Sequence, residues 1–100
     1  MAVVFIDDGQ YFVIPNIEEF YGSGNQGYPG DAITVYWSVS DDIGVEISVD
    51  GTQAEHRSEL NGSAVISGRL QQVGRHEIEL AAHSVTGVSY ASIWYETKGE

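Results

Sequence analysis

The sequence predicts an all-β protein, an antiparallel β-sandwich of about seven to nine short strands. Three observations predict it. Between Asp31 and Ser40, Ile33, Val35, Trp37 and Val39 alternate with Thr34, Tyr36 and Ser38, a period of two over a full strand length. Turn signals recur about every 8–12 residues along the chain. No segment carries a helical period over about 11 residues.

The elements follow in order. Val3–Ile6 and Tyr11–Ile14 are apolar runs around Asp7-Asp8-Gly9-Gln10, a hairpin signal between β-formers. Both are apolar at every position, as strands covered on both sides are. Pro15 ends the ladder because it has no N–H to donate. Ile17–Phe20 reads as a short edge strand. Residues 22–30 hold four glycines and a proline and read as a loop. After the Trp37 strand, Asp41-Asp42-Ile43-Gly44 turns the chain, and Val45, Ile47 and Val49 face one side of the next strand. Asp50-Gly51 is a turn. Residues 52–59 are polar and read as a weak edge strand or loop.

Asn61-Gly62 is a further turn signal, and Ser63–Leu70 a strand with Ala64, Ile66 and Leu70 on one face. Gly74 begins a strand with His76, Ile78, Leu80 and Ala82 on one face and Glu77, Glu79 and His83 on the other. Thr86-Gly87 turns the chain into Val88–Tyr95. The core face of that strand is open, since Val88, Tyr90 and Trp94 compete with Ala91, Ile93 and Tyr95. The expected organisation is a β extension over residues 1–14 and one sandwich over 15–100.

Composition narrows function. The formal net charge is −11, and residues 1–50 hold Asp7, Asp8, Glu18, Glu19, Asp31, Asp41, Asp42, Glu46 and Asp50 but no Lys or Arg. Nucleic acid and anionic membrane would be repelled. With no cysteine, disulfides and thiolate chemistry are excluded. No apolar run approaches the roughly 18 residues a membrane helix needs. The N-terminus lacks the basic and apolar regions of a signal peptide. The chain is therefore either a complete small protein not exported by the general route, which the lack of any tag favours, or a module of a longer one.

From Pro15 to Thr97, roughly four-fifths of the sequence, the pieces fall in a familiar order. Pro15-x-Ile17-x-x-Phe20 is followed by a loop and Gly30, then by Ile33-x-Val35-x-Trp37-x-Val39. Val45-x-Ile47-x-Val49-x-Gly51 comes next, then Gly74-x-His76-x-Ile78-x-Leu80-x-Ala82 and Thr86-Gly87. This pattern resembles bacterial and phage immunoglobulin-like domains, which implies an immunoglobulin-like sandwich. His76 stands where the family usually has tyrosine, so the hydroxyl-to-backbone bond of a tyrosine corner is either missing or replaced by imidazole. There is no cysteine pair, and Ser-Val-Ser after Trp37 departs from the Asp-Phe-Gly-Asp-Gly of polycystic-kidney-disease-type repeats. The first 14 residues lie outside the pattern.

Catalytic and metal residues are expected to be absent, and no cofactor is implied. No serine sits in a Gly-x-Ser-x-Gly elbow. Glu18-Glu19 and the Asp-Asp pairs, as strand neighbours, are expected to face opposite sides. So are His76 and His83, which leaves them and His56 without a shared metal. The acids show no calcium-loop spacing. Asn61-Gly62-Ser63 matches a glycosylation acceptor, but Asn-Gly already has a reading as a turn.

Two features point to contact. Val3, Phe5, Tyr11 and Val13, in the N-terminal runs, are candidates for assembly with a neighbouring subunit by sheet-edge pairing. Tyr21, Asn25 and Tyr28, in and beside the Gly-rich loop, are candidates for a recognition loop. The expected function is a non-enzymatic structural or assembly module of a virion (phage capsid or tail accessory) or cell surface, acting by protein–protein contact or self-association. The alternative is an adhesion or carbohydrate-binding module that uses the loop tyrosines and Trp94.

Overall fold

The computed structural model describes residues 2–5, 11–40, 44–84 and 87–99; for 2–5 and 11–14 it describes the strands but not the side chains. The strands are β1 (Ala2–Phe5), β2 (Tyr11–Ile14), β3 (Asn16–Gly22), β4 (Gln26–Gly27), β5 (Ile33–Ser40), β6 (Gly44–Val49), β7 (Thr52–Arg57), β8 (Asn61–Ile66), β9 (Gly74–His83) and β10 (Val88–Thr97). Among the described residues there is no helix, and so none that could cross a membrane. The turns expected at Asp7–Gln10 and Asp41–Ile43, and Thr86 of the turn before β10, lie outside the described residues.

Two sheets make the sandwich. One runs β3-β5-β8, the other β4-β10-β9-β6-β7. Pairing is antiparallel except between β4 and β10. β1 and β2 form a separate two-stranded sheet, with Val3 opposite Val13 and Phe5 opposite Tyr11.

The alternating residues of the sequence meet between the sheets. Ile33, Val35, Trp37 and Val39 of β5 pack with Ala64 and Ile66 of β8 on one side. Val45, Ile47 and Val49 of β6, and Ile78, Leu80 and Ala82 of β9, close from the other. The unresolved choice in β10 goes to the odd positions: Tyr95 and Thr97 are buried and Ile93 half-buried, while Val88, Tyr90 and Trp94 are exposed. Register decides it. Tyr95 lies opposite His76, and Ile93 opposite Ile78, so β10 must share the core face of β9.

Three local expectations change. Residues 22–30 are not a plain loop, since Gln26–Gly27 pairs with Glu96–Thr97. The Glu96 N–H donates to the Asn25 carbonyl at 2.9 Å and the Lys98 N–H to the Gly27 carbonyl at 2.7 Å. The chain thus leaves the β3 sheet and covers the edge of β10. Only glycine fits at 27, where a Cβ would collide with the Tyr95 hydroxyl. Asn61-Gly62 is not a turn but the start of β8, with Gly62 opposite Trp37. Leu70 reaches the core from a loop beyond the end of β8 at Ile66, and its carbonyl accepts from Thr97 Oγ1 at 2.6 Å. Residues 52–57, open between strand and loop in the sequence, form β7. Asp50 and Gly51, with φ of 52° and 86°, make the two-residue hairpin turn before it.

Where the sequence pattern leads one to expect a tyrosine corner, the structure places imidazole. Nε2 of the buried His76 lies 2.7 Å from the Gln72 carbonyl, which can only accept, so Nε2 carries a proton. Nδ1 lies 2.6 Å from Asp50 Oδ2, and Asp50 Oδ1 accepts from the Glu77 N–H at 2.9 Å. The Asp50 carboxylate is also an acceptor, so the geometry favours the doubly protonated ring. Burial works against that charge. The hydrogen bonds to Asp50 and Gln72, and the Asp50 charge, outweigh burial and raise the His76 pKa above 6.5. Burial likewise pushes Asp50 up, but the His76 hydrogen bond, the Glu77 N–H and the His76 charge bring its pKa below 3.8.

Candidate ligand-contact edge

The outer face of the β3-β5-β8 sheet carries the polar positions of β5. Tyr36 lies opposite Tyr21 of β3 on one side and Ser63 of β8 on the other. That register stacks the two tyrosine rings, with centroids 5.1 Å apart and planes inclined by 21°. Ser38 lies between Glu19 and Asn61, and its hydroxyl donates to Asn61 Oδ1 at 2.6 Å. Glu18 Oε1 stands 3.5 Å from the same hydroxyl.

Glu18 and Glu19 do not face opposite sides as expected. The β3–β5 register shifts between Ile17 and Glu19, and both carboxylates line one groove with Tyr21, Tyr36 and Asn61. A bulge breaks the period of two, so neighbours can share a face. The groove encloses about 550 Å³.

A second groove of about 400 Å³ lies between the end of β3 and β10, lined by Tyr21, Gly22, Gly24, Asn25, Ile93 and Trp94. The Arg75 guanidinium lies over the Trp94 ring, 4.4 Å from its centroid. Tyr21, half exposed, belongs to both grooves, so Tyr36, Tyr21 and Trp94 form one aromatic track around the sandwich edge.

Among the residues singled out in the sequence, Tyr21 and Asn25 come together at the second groove. Tyr28 is exposed outside both grooves; its N–H donates to Asp31 Oδ2 at 2.8 Å, and its carbonyl accepts from the Asp31 N–H at 3.0 Å. Val3, Phe5, Tyr11 and Val13 lie in β1 and β2, and their side chains fall outside the description. The sequence reading missed Glu18, Glu19, Tyr36 and Asn61 as site residues. Tyr36 carried a signal, an aromatic on the polar face of β5.

Among the described residues, no three His, Asp or Glu side chains converge as metal ligands. His76 is buried while His83 lies on the other face of β9, where its Nε2 is 3.8 Å from Glu46 Oε2.

Comparison with solved structures places this architecture. The fibronectin(III)-like modules of Clostridium thermocellum CbhA superpose with a TM-score of 0.69 at 17% sequence identity, over 96% of this chain and 59% of that one. The fold is an immunoglobulin-like β-sandwich. The chain spans about three-fifths of that structure's chain. No protein-family model matches the sequence, and no curated protein does. At this identity the likeness speaks for the sandwich, not for the residues of the aromatic track.

Proposed function

We propose that this sandwich is a non-enzymatic interaction module that takes a protein partner along the Tyr36–Tyr21–Trp94 edge. The observation that carries the reading is Tyr21, a half-exposed ring that lines both grooves and stacks on Tyr36. Exposed aromatic rings on a rigid sheet offer large contact area at small entropic cost. Tyr21→Ala removes the shared wall while leaving the core intact. On an array of peptides and oligosaccharides, the wild-type chain should bind features that Tyr21→Ala loses by about tenfold or more, roughly one hot-spot side chain. Tyr90→Ala, on the outer face of β10, should keep them. Equal binding by wild type and Tyr21→Ala would contradict the reading.

A second surface has its own support. β1 and β2 pair as a sheet of their own, and both are apolar throughout. This favours assembly by strand addition or apolar burial against a neighbouring subunit, in a virion or at a cell surface. At ~25 cal/mol per Å², burying a few hundred Å² there contributes several kcal/mol before association costs. Light scattering should then find the full chain oligomeric and a chain beginning at Pro15 a folded monomer. Two monomers would remove the hairpin as an assembly device.

A further inference from the structure

We propose that the groove over β3, β5 and β8 holds an arginine side chain of a partner polypeptide. The inference rests on the proposed contact edge and names its ligand. The groove brings two carboxylates, Glu18 and Glu19, beside the stacked Tyr21–Tyr36 rings. A third, Glu59, borders it: its Oε2 lies 2.8 Å from where a Cβ on Gly62 would stand. The four basic residues, Arg57, Arg69, Arg75 and Lys98, are all described, and none of them pairs with these three acids.

The charge asks for a cation, and the rest of the lining says which. Carboxylates only accept hydrogen bonds, and the Ser38 hydroxyl already spends its proton on Asn61. The groove's charge lies on acceptors alone, beside aromatic surface, and the hydroxyls and amide of Tyr21, Tyr36, Asn61 and Ser63 that share the lining are neutral. A neutral sugar would leave that charge unanswered, and an anion would be repelled. A guanidinium supplies five N–H donors in a plane, matches a carboxylate with two bonds, and stacks on aromatic rings; an ammonium offers three donors around a point charge, with neither the plane nor the paired geometry. The same chain displays the contact once, where Arg75 lies over Trp94 at 4.4 Å. No acidic residue lines the second groove, so the unanswered charge is the first groove's. Its volume of about 550 Å³ exceeds one side chain and admits the flanking backbone of an extended segment.

The test is a calorimetric titration of the full chain with the peptide Gly-Gly-Arg-Gly-Arg-Gly-Gly at about 150 mM salt, where distant charges are screened. Two companions replace arginine by lysine or by citrulline, which keeps the plane and loses the charge. Binding should follow arginine, then lysine, with citrulline silent. Glu18→Gln with Glu19→Gln should weaken the arginine peptide by about tenfold, as loss of a close charge partner does. Glu77→Gln with Glu79→Gln removes the same charge from the other sheet and should change binding less than about twofold. Equal loss in the two double variants would overturn the proposal, because attraction would then come from net charge alone. Citrulline binding as well as arginine, or no heat from any peptide, would also overturn it. Maltohexaose and cellohexaose separate the two levels: sugar binding that Tyr21→Ala abolishes, with silent peptides, refutes arginine and keeps the edge. If Tyr21→Ala changes neither peptide nor sugar binding, the edge itself falls.

Discussion

Gly62→Ala is expected to lower the melting temperature by about 10–20 °C, equivalent to about 2–3 kcal/mol in a domain of this size. The reason lies across the ladder. Gly62 pairs with Trp37, whose buried indole lies so close that an added Cβ would sit 2.6 Å from Cζ2 and 3.0 Å from Cε2. Glu59 Oε2, at 2.8 Å, can swing away as the end of a flexible side chain. The indole cannot, because core neighbours hold it and its Nε1–H donates to the Glu59 carbonyl at 3.0 Å. Trp37→Phe alone should cost a few kcal/mol by opening space. Combined with Gly62→Ala, the two losses should sum to less than their parts, since the methyl enters the space the indole vacates. Thermal melts of the four proteins in that cycle decide it. Additive losses, or a Gly62→Ala melt within about 2 °C of wild type, would show that the glycine is not there for the indole.

His76→Ala is expected to cost about 2–3 kcal/mol, because it opens space where the buried ring stood and removes its hydrogen bonds to the Gln72 carbonyl and the Asp50 carboxylate. The pH dependence carries a sharper signature. The His76 pKa is raised on folding, so its contribution is complete below the unfolded value of about 6.5 and is lost as pH rises through the folded value. The Asp50 pKa is lowered, so its contribution is present above about 3.8 and is lost as pH falls through the folded value. Melting temperature should therefore be highest between about pH 4 and 6.5 and fall toward pH 9. Asp50 is about half exposed, and solvent screening keeps the Coulomb part small, so the fall rests mainly on the two hydrogen bonds. His76→Tyr should put a neutral phenol at this corner and flatten the slope between pH 6.5 and 9, where a group with a pKa near 10 does not titrate. An unchanged slope in His76→Tyr would assign the pH dependence to other groups.

What the sequence made legible, and what it hid, has a physical cause in each case. β5, β6 and β9 were readable because each has one face of branched aliphatics and one of polar groups. β10 was not, because its outer face carries Tyr90 and Trp94, rings as large as any in its core. Only its register against β9 resolves the choice, and register is a property of two strands. The resemblance placed His76 at the corner, but not the acid that answers it, which arrives from a turn 26 residues earlier. The contact edge was half legible. Tyr21 and Asn25 stood out beside a glycine-rich loop, whereas the Tyr21–Tyr36 stack depends on cross-strand pairing. Glu18 and Glu19 share a groove only through a shift in register that no alternation rule reveals.

The two tryptophans offer the most direct test of the contact edge. Trp94 is half exposed at the second groove, and Trp37 is buried with its N–H bonded to the Glu59 carbonyl. Their indole N–H signals can be followed separately by NMR as a ligand found on the array is added. The Trp94 signal should move in proportion to occupancy, and the Trp37 signal should move with it where the ligand also fills the first groove, which Trp37 lines. A saturating ligand that leaves Trp94 in place would contradict the claim that this sandwich meets its partner along the Tyr36–Tyr21–Trp94 edge.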